Sequence, residues 1–167
     1  QLKQYLHENQ PEDENRLRLY EDAMLPLAKL YQIDKAMEEA LSTHVWLKSG
    51  GYLVIEPTEA MTVIDVNTGK YTGKKNKRDT ILKINLEAAA EISHQMRLRN
   101  LSGIILVDFI DMEEKEDQEL LMKTLAVQCA RDPVKTTVVD MTRLNLVEIT
   151  RKKIRKPLHE QVRLFGR

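Results

Sequence analysis

Two aspartates lie in apolar, strand-like segments, where an acidic side chain is unusual. Asp65 ends a β-rich run, and Asp108 lies inside the almost unbroken apolar run 103–110. An ionised carboxylate buried without a partner is costly, so a cation, a hydrogen-bond cluster or a raised pKa must offset it. Mg²⁺ or Mn²⁺ suits such oxygen ligands, and Mg²⁺ leaves its remaining positions to water and substrate phosphate. The acids therefore predict a metal site, although acids at strand ends also commonly cap turns and helices.

Asn67 is the third candidate for this site. It lies two residues after Asp65, and the period of two in a strand points both side chains to the same face if the strand continues through them. Its amide is a weak ligand but can hold a carboxylate in place. Three nearby acids have simpler interpretations, because Asp111 is placed to cap a helix, whereas Glu56 and Glu59 flank a turn that water can reach.

A cationic loop follows Asp65 in the sequence. Residues 67–79 contain two glycines, which let a backbone approach a ligand closely, and five basic side chains. Two further cations flank a later predicted strand. The candidate phosphate contacts are Lys70, Lys74, Lys75, Lys135 and Arg143. Such contacts would bind a polyanion through its backbone and weaken with salt. A solvated surface loop is the alternative interpretation.

Composition narrows the class of protein. The 167 residues include 26 basic and 26 acidic side chains, so a polyanionic partner must be met by a local patch. Only 5% of the residues are aromatic, so we expect phosphate contacts to dominate over a broad platform for base stacking. The single cysteine, Cys129, excludes an internal disulfide and a four-cysteine zinc site.

The sequence also bears on location. A lone cysteine favours a reducing, cytoplasmic compartment. No apolar run reaches the roughly 18–20 residues that a membrane span needs. The sequence opens at Gln1 rather than Met, so we expect a piece of something larger.

Apolar spacing predicts the elements that must position these side chains. The predicted elements are a helix over 25–41 with a break at Tyr31-Gln32, strands over 44–47, 52–56 and 61–65, a helix over 80–99, a strand over 103–110 covered on both faces, a helix from a capping box at 111–114 to about 130, a strand over 134–141 and a helix over 144–153. This order predicts an α/β (α+β) fold, with a mixed β-sheet, an antiparallel meander and flanking helices.

Three ordered blocks of sequence resemble the bacterial ribonuclease E/G family. The blocks are residues 49–67, 85–103 and 107–112, within a broader likeness over about 25–156. The resemblance implies that residues 43–156 are a catalytic subdomain similar to deoxyribonuclease I. It also implies that residues 1–42 are the end of an RNase H-like subdomain and that 157–167 are a C-terminal tail.

The resemblance also implies a chemistry. Asp65 and Asp108 would bind the catalytic Mg²⁺, Asn67 would orient Asp65, and Lys135 would stand where the family uses a basic residue near the scissile phosphate. The implied reaction, part of RNA processing and decay, is endonucleolytic cleavage of single-stranded RNA to 5′-phosphate and 3′-hydroxyl ends. Family members also carry an S1 domain, a 5′-end sensor and a zinc-binding Cys-x-x-Cys that joins protomers. None of these is found in this sequence, so we expect no zinc.

Two other functions stay open on the residues alone. A non-catalytic RNA-binding or assembly module would use the cations to bind backbone and the acids for structure. An oligomerisation domain would use a sheet edge or the helix over 25–41 as its interface. For the full-length protein, the family resemblance implies a homo-oligomer, either a dimer or a tetramer.

Overall fold

The computed structural model describes residues 1–69 and 77–165, with side chains up to residue 163. The chain divides into two compact units, residues 1–37 and 38–167, with the division inside one helix. The predicted domain limits at 42/43 and 156/157 stay predictions. In the described part of the chain, none of the helices has both the length and the apolar character that crossing a bilayer requires.

The first unit consists of short helices with exposed or half-exposed side chains. It contains α1 (Leu2–Asn9), a 3₁₀ helix (Pro11–Arg16), α2 (Leu27–Leu30) and the start of α3 (Ile33–Leu41). The predicted helix with a break at Tyr31-Gln32 is confirmed, and Gln32 takes a left-handed φ of 50° there. No residue before Ala40 is buried.

The second unit contains a mixed six-stranded sheet, which confirms the predicted fold class. Its strand order is β1-β2-β3-β4-β6-β5. The strands are β1 (His44–Trp46), β2 (Tyr52–Pro57), β3 (Met61–Asn67), β4 (Gly103–Asp108), β5 (Thr136–Met141) and β6 (Leu146–Arg151). The predicted meander β1-β2-β3 is antiparallel as expected, whereas β3 and β4 pair in parallel. A parallel pair needs a long crossover, and a helix supplies it.

Helices cover one face of this sheet. They are α4 (Lys77–Leu98), which connects β3 to β4, and α5 (Lys115–Cys129). A further helix, α6 (Leu158–Phe165), occupies the predicted tail. Alternate strand residues, such as Leu53, Ile64 and Ile149, join Ile92 of α4 and Leu125 of α5 in one buried core. Each fully buried aliphatic side chain of this size contributes about 1.5–3 kcal/mol to the hydrophobic term.

In the described part of the chain, the strand residues on the other face of the sheet, here called the open face, are exposed or half-buried. Residues 103–110 were expected to form a strand covered on both sides, and this prediction is wrong. The strand ends at Asp108, and Ile105 and Val107 are buried while Ile104 is 49% exposed. The near-continuous apolar run therefore reflects one buried and one half-exposed face.

Two further predictions, both in the second half of the chain, are wrong. Residues 144–153 do not form a helix, because Asn145 takes a left-handed φ of 62° in a turn and β6 follows with alternate residues buried. The capping box at 111–114 is also wrong, since α5 begins at Lys115 with Glu114 as its N-cap and no side-chain capping bond. Asp111 is thereby left outside the helix.

A buried ion pair ties β6 to the loop before β5. Arg151 Nε donates to Asp132 Oδ2 at 2.7 Å, and the two side chains are only 3% and 1% exposed. Arg151 Nη1 also donates to Asn100 Oδ1 and to the Leu101 carbonyl. Burial opposes ionisation of Asp132, but Arg151 and the backbone N–H of Val134 outweigh burial and hold the pKa of Asp132 below its usual range.

We expect Arg151→Met to lower the free energy of unfolding at pH 7 by roughly 3–5 kcal/mol, because Asp132 stays buried without its cation. A lowered pKa means that the pair stabilises the fold above about pH 4 and that this contribution is lost as pH falls through the folded pKa. Urea unfolding at pH 7 and at pH 3 measures both effects. Arg131→Met, at an exposed position, should change stability by less than about 0.5 kcal/mol. A loss that is equally large at both pH values would contradict this account.

Candidate functional site

The parallel strand pair places two acids side by side. Asp65 of β3 and Asp108 of β4 are partners in register, and neighbouring strands lie about 4.8 Å apart. Ile64, Val66 and Val107 point into the core, so both carboxylates point to the open face. The structure thus brings together two acids that the sequence places on separate strands.

Asn67 contacts the first of these acids directly. Its Nδ2 donates to Asp65 Oδ2 at 2.7 Å, as the period of two in β3 predicts. Both residues are half-buried, whereas Asp108 is exposed at the end of β4. The amide therefore fixes the orientation of one carboxylate while its neighbour stays accessible to solvent.

The acids line an open cleft with a volume of about 270 Å³. The remaining lining includes Thr68, Phe109 and Asp111. Partial burial, followed by the negative charges of Asp65 and Asp111, raises the pKa of Asp108 above its usual range. A bound cation would relieve this repulsion.

The carboxylate donors of this cleft fit Mg²⁺ better than a structural zinc ion. Among residues 1–69 and 77–165, no three His, Cys, Asp or Glu side chains converge into a metal-binding group. A closed structural site of the zinc type is therefore not formed by these residues. Two carboxylates are sufficient for Mg²⁺, which keeps several waters and takes phosphate oxygens from a substrate. Asp65 and Asp108 could hold it.

Helix α4 pins the chain just after Asp108. The buried Asn85 donates from Nδ2 to the Ile110 carbonyl at 2.8 Å and accepts from the Ile110 N–H at 3.2 Å. This paired amide contact satisfies both backbone groups of Ile110 and fixes the exit of β4. Sequence reasoning missed this role, although a polar residue on the buried side of a helix is a usable signal.

Two residues further along, α4 pins the β1–β2 turn. Glu87 accepts from the backbone N–H groups of Lys48 at 2.7 Å and Ser49 at 3.0 Å. Burial opposes ionisation of Glu87, but contacts with Ser49 and Lys48 outweigh burial and lower its pKa. The turn also needs a glycine, because a Cβ on Gly51 would lie 2.7 Å from the Asn67 carbonyl oxygen. The turn therefore supports the end of β3 at close range.

The predicted phosphate contacts have different outcomes. Lys70, Lys74 and Lys75 lie outside the described residues. Arg143 is exposed in the β5–β6 turn, at the same end of the sheet as Asp108. Lys135 precedes β5 at the opposite end of the sheet.

Within one chain, Lys135 therefore does not lie near the acids, and its role as a phosphate contact stays a prediction. Thr136, the next residue, pairs with Arg151, which pairs with Gly103 at the start of β4. Asp108 ends that strand, so Asp108 and the end of the sheet where Lys135 lies are five residue steps, about 17 Å, apart along β4. Strand order decides this placement, because β5 reaches β4 only through the antiparallel β6.

The nearby acids also have defined places. Asp111, expected as a helix cap, lines the cleft instead, and Asn145 Nδ2 lies 3.4 Å from its Oδ1. Glu56 shares the open face but pairs with Val63, one step of two residues below Asp65. Glu59 is exposed in the following turn.

Aromatic side chains are more concentrated than the composition indicated. The ring centroids of Trp46 and Tyr52 are 5.2 Å apart, and those of His44 and Tyr52 are 5.8 Å apart. All three lie on the open face, because Val45 and Leu53 between them pack into the core. The low overall aromatic content therefore does not exclude a local stacking surface.

We expect Asp108→Asn to raise the free energy of unfolding at pH 7 by about 0.5 kcal/mol without metal, a small gain because solvent screens this rim. The raised pKa means that folding favours the protonated form of Asp108. The stability difference between the variant and the wild type therefore disappears below about pH 4 and grows as pH rises through the folded pKa. Mg²⁺ should raise the melting temperature of the wild type and not of the variant. Glu59→Gln is the matched control, and equal stabilisation of Asp108→Asn by Mg²⁺ would refute the metal site.

We expect Asn85→Leu to cost roughly 1–3 kcal/mol, because both backbone groups of Ile110 lose their partner. It should also weaken Mg²⁺ stabilisation, since the exit of β4 is no longer fixed. Gln95→Leu is the control, because Gln95 is also buried on α4 but contacts Glu91 and Arg99 rather than the site. If both variants alter the Mg²⁺ dependence to the same extent, Asn85 has no specific positioning role.

Comparison with known proteins gives the chain its family. The sequence profile described as the Ribonuclease E/G family matches residues 1–154. The chain is 44% identical over 158 residues to Ribonuclease G of Haemophilus influenzae, covering 95% of this chain and 32% of that protein. It is 45% identical over 141 residues to Ribonuclease E of a Nostoc species, covering 84% and 20%. Ribonuclease G of Escherichia coli is 41% identical over 157 residues, covering 94% and 32%.

The chain thus spans about a third or less of the length of these relatives. Their similarity nevertheless extends over most of this chain. With a family profile that takes in nearly every residue, the chain belongs to the ribonuclease E/G family.

Proposed function

We propose that this domain is the catalytic part of a Mg²⁺-dependent endoribonuclease of RNA processing and decay. It would cleave single-stranded RNA to 5′-phosphate and 3′-hydroxyl ends. The observation that carries the proposal is the register pairing of Asp65 with Asp108 at an open cleft. The three relatives described above are all named ribonucleases, which supports the same class of substrate and bond.

The acids supply the ion-binding part of the chemistry. Asp65 and Asp108 would hold Mg²⁺, and Mn²⁺ suits the same oxygen donors. When bound, the ion would supply an activated water and would stabilise charge that develops on the phosphate oxygens. Asn67 holds the Asp65 carboxylate through a 2.7 Å hydrogen bond, so less reorganisation is needed as charge develops.

The surrounding residues would position the RNA backbone. Arg143 stands at the same end of the sheet as the acids and is exposed, so it is available to a phosphate. Lys70, Lys74 and Lys75 follow β3 directly in the sequence and are proposed as further contacts. Each phosphate neutralised on a single strand should add about −0.7 to the slope of log affinity against log salt.

The alternative is a non-catalytic RNA-binding or assembly module. It shares the cations with the nuclease and differs in the role of the acids, so substitutions of the acids separate the two. The lone Cys129 supports a cytoplasmic location, and the family resemblance supports a homo-oligomeric full-length protein; both stay predictions.

We expect Asp65→Asn and Asp108→Asn each to lower Mg²⁺-dependent cleavage of a 5′-labelled single-stranded RNA by at least about 100-fold. Asn67→Ala should lower it by about 10- to 100-fold, because the metal-binding carboxylate loses its support. Binding of Mn²⁺, followed by electron paramagnetic resonance, should weaken in the same variants.

Glu56→Gln is the matched control, since it removes an acid from the same face of the sheet without touching the cleft. It should keep wild-type cleavage. Full activity and full Mn²⁺ binding in both aspartate variants would overturn the proposal. Salt-sensitive RNA binding that ignores both metal and these substitutions would favour the non-catalytic module.

A further inference from the structure

We infer that His44, Trp46 and Tyr52 form an aromatic platform that stacks nucleobases of single-stranded RNA whose backbone lies at the acid pair. The inference deepens the proposed function and rests on it for the path of the RNA. It assigns to this chain a base-binding surface in addition to its phosphate contacts.

Strand register connects the aromatic platform to the acids. Trp46 pairs with Tyr52, and Tyr52 pairs with Asn67, the residue that holds Asp65. His44 pairs with Val54, which pairs with Asp65 itself. Because neighbouring strands are about 4.8 Å apart and each strand residue adds about 3.3 Å, the backbones of Tyr52 and His44 lie roughly 8–10 Å from that of Asp65, and that of Trp46 lies slightly farther away. A single nucleotide spans a distance of that order from its phosphate to its base.

The rings are accessible and are held in place. Trp46 is 71% exposed, and its ring is tilted by 53° against Tyr52. The His44 ring stacks on Tyr52 at an interplanar angle of 29°, and Thr43 Oγ1 lies 3.0 Å from His44 Nδ1. These side chains stand on strands, and the turn that joins the two strands is pinned by Glu87. The surface is therefore formed before any ligand arrives.

The polarity around the rings favours a nucleic acid over a protein partner. Asp65, Asn67, Asp108 and Glu56 interrupt the same face, whereas the centre of a protein interface is depleted of charged residues. Base stacking needs only ring faces, and it tolerates such interruptions because the backbone between bases is polar. Single-stranded RNA presents both features at once.

The chain contains one tryptophan, so fluorescence excited at wavelengths that only tryptophan absorbs reports on Trp46 alone. The experiment titrates the chain with single-stranded decaadenylate and with an abasic oligomer of equal length and charge. It uses the Asp108→Asn background with EDTA, so neither cleavage nor metal binding enters the result. We expect decaadenylate to quench Trp46 and to bind roughly 5- to 100-fold more tightly than the abasic oligomer.

The substitutions give the decisive comparison, read by anisotropy of labelled RNA. Trp46→Leu should reduce decaadenylate binding to the abasic level and leave abasic binding unchanged, and Tyr52→Leu should reduce it in part. Tyr31→Leu is the control, because Tyr31 is also an exposed aromatic, at 68%, but lies in the first unit.

Two results would overturn the inference. One is that the protein binds decaadenylate and the abasic oligomer with equal affinity and that Trp46→Leu changes neither affinity. The other is a blue shift of Trp46 emission that grows with protein concentration in the absence of RNA, since a second copy would then cover the rings. Failure of the nuclease proposal would appear separately, as retained cleavage in the aspartate variants.

Discussion

The parallel pairing of β3 with β4 is the constraint on which the candidate site depends. It sets Asp65 opposite Asp108, and a slip of one residue would turn one carboxylate into the core. The buried partners Ile64 and Val107 oppose such a slip, because their removal from water stabilises only this register. Hydrophobic burial on one face of the sheet thus fixes the relative positions of the two carboxylates on the other face.

The crossover helix does more than connect the two strands. Its apolar side chains pack on the sheet, while Asn85 and Glu87 reach the chain at opposite sides of the cleft. One bonds to Ile110 after β4, and the other to the β1–β2 turn that lies against Asn67. Backbone groups satisfy the hydrogen-bonding capacity of both side chains, as polar groups removed from water require. A single rigid element therefore sets the spacing of the strands that carry the acids.

Features governed by local periodicity could be predicted from the sequence. The alternation in β3 was enough to place Asn67 beside Asp65, and the three- to four-residue spacing of apolar residues over 25–41 indicated helix there. The meander followed from its turn residues. In each case the deciding interactions join residues that are close in the chain.

Features governed by strand order could not be predicted in the same way. The sequence of β6 combines β-branched residues with charges, and only its pairing between β4 and β5 makes it a strand. That same insertion places Lys135 far from Asp108. The aromatic platform was not predicted, because the aromatic content is an average over the whole chain, whereas cross-strand pairing brings Trp46 and Tyr52 together.

The one-sided sheet has a consequence for how this family can diversify. Inward residues such as Leu53 and Ile55 hold the fold together, while their outward neighbours Tyr52 and Val54 contribute little to the core. Exchange at outward positions should therefore alter ligand preference with small effects on stability. Because strand residues alternate between the two faces, the residues of the open face can change in evolution while the core residues stay the same.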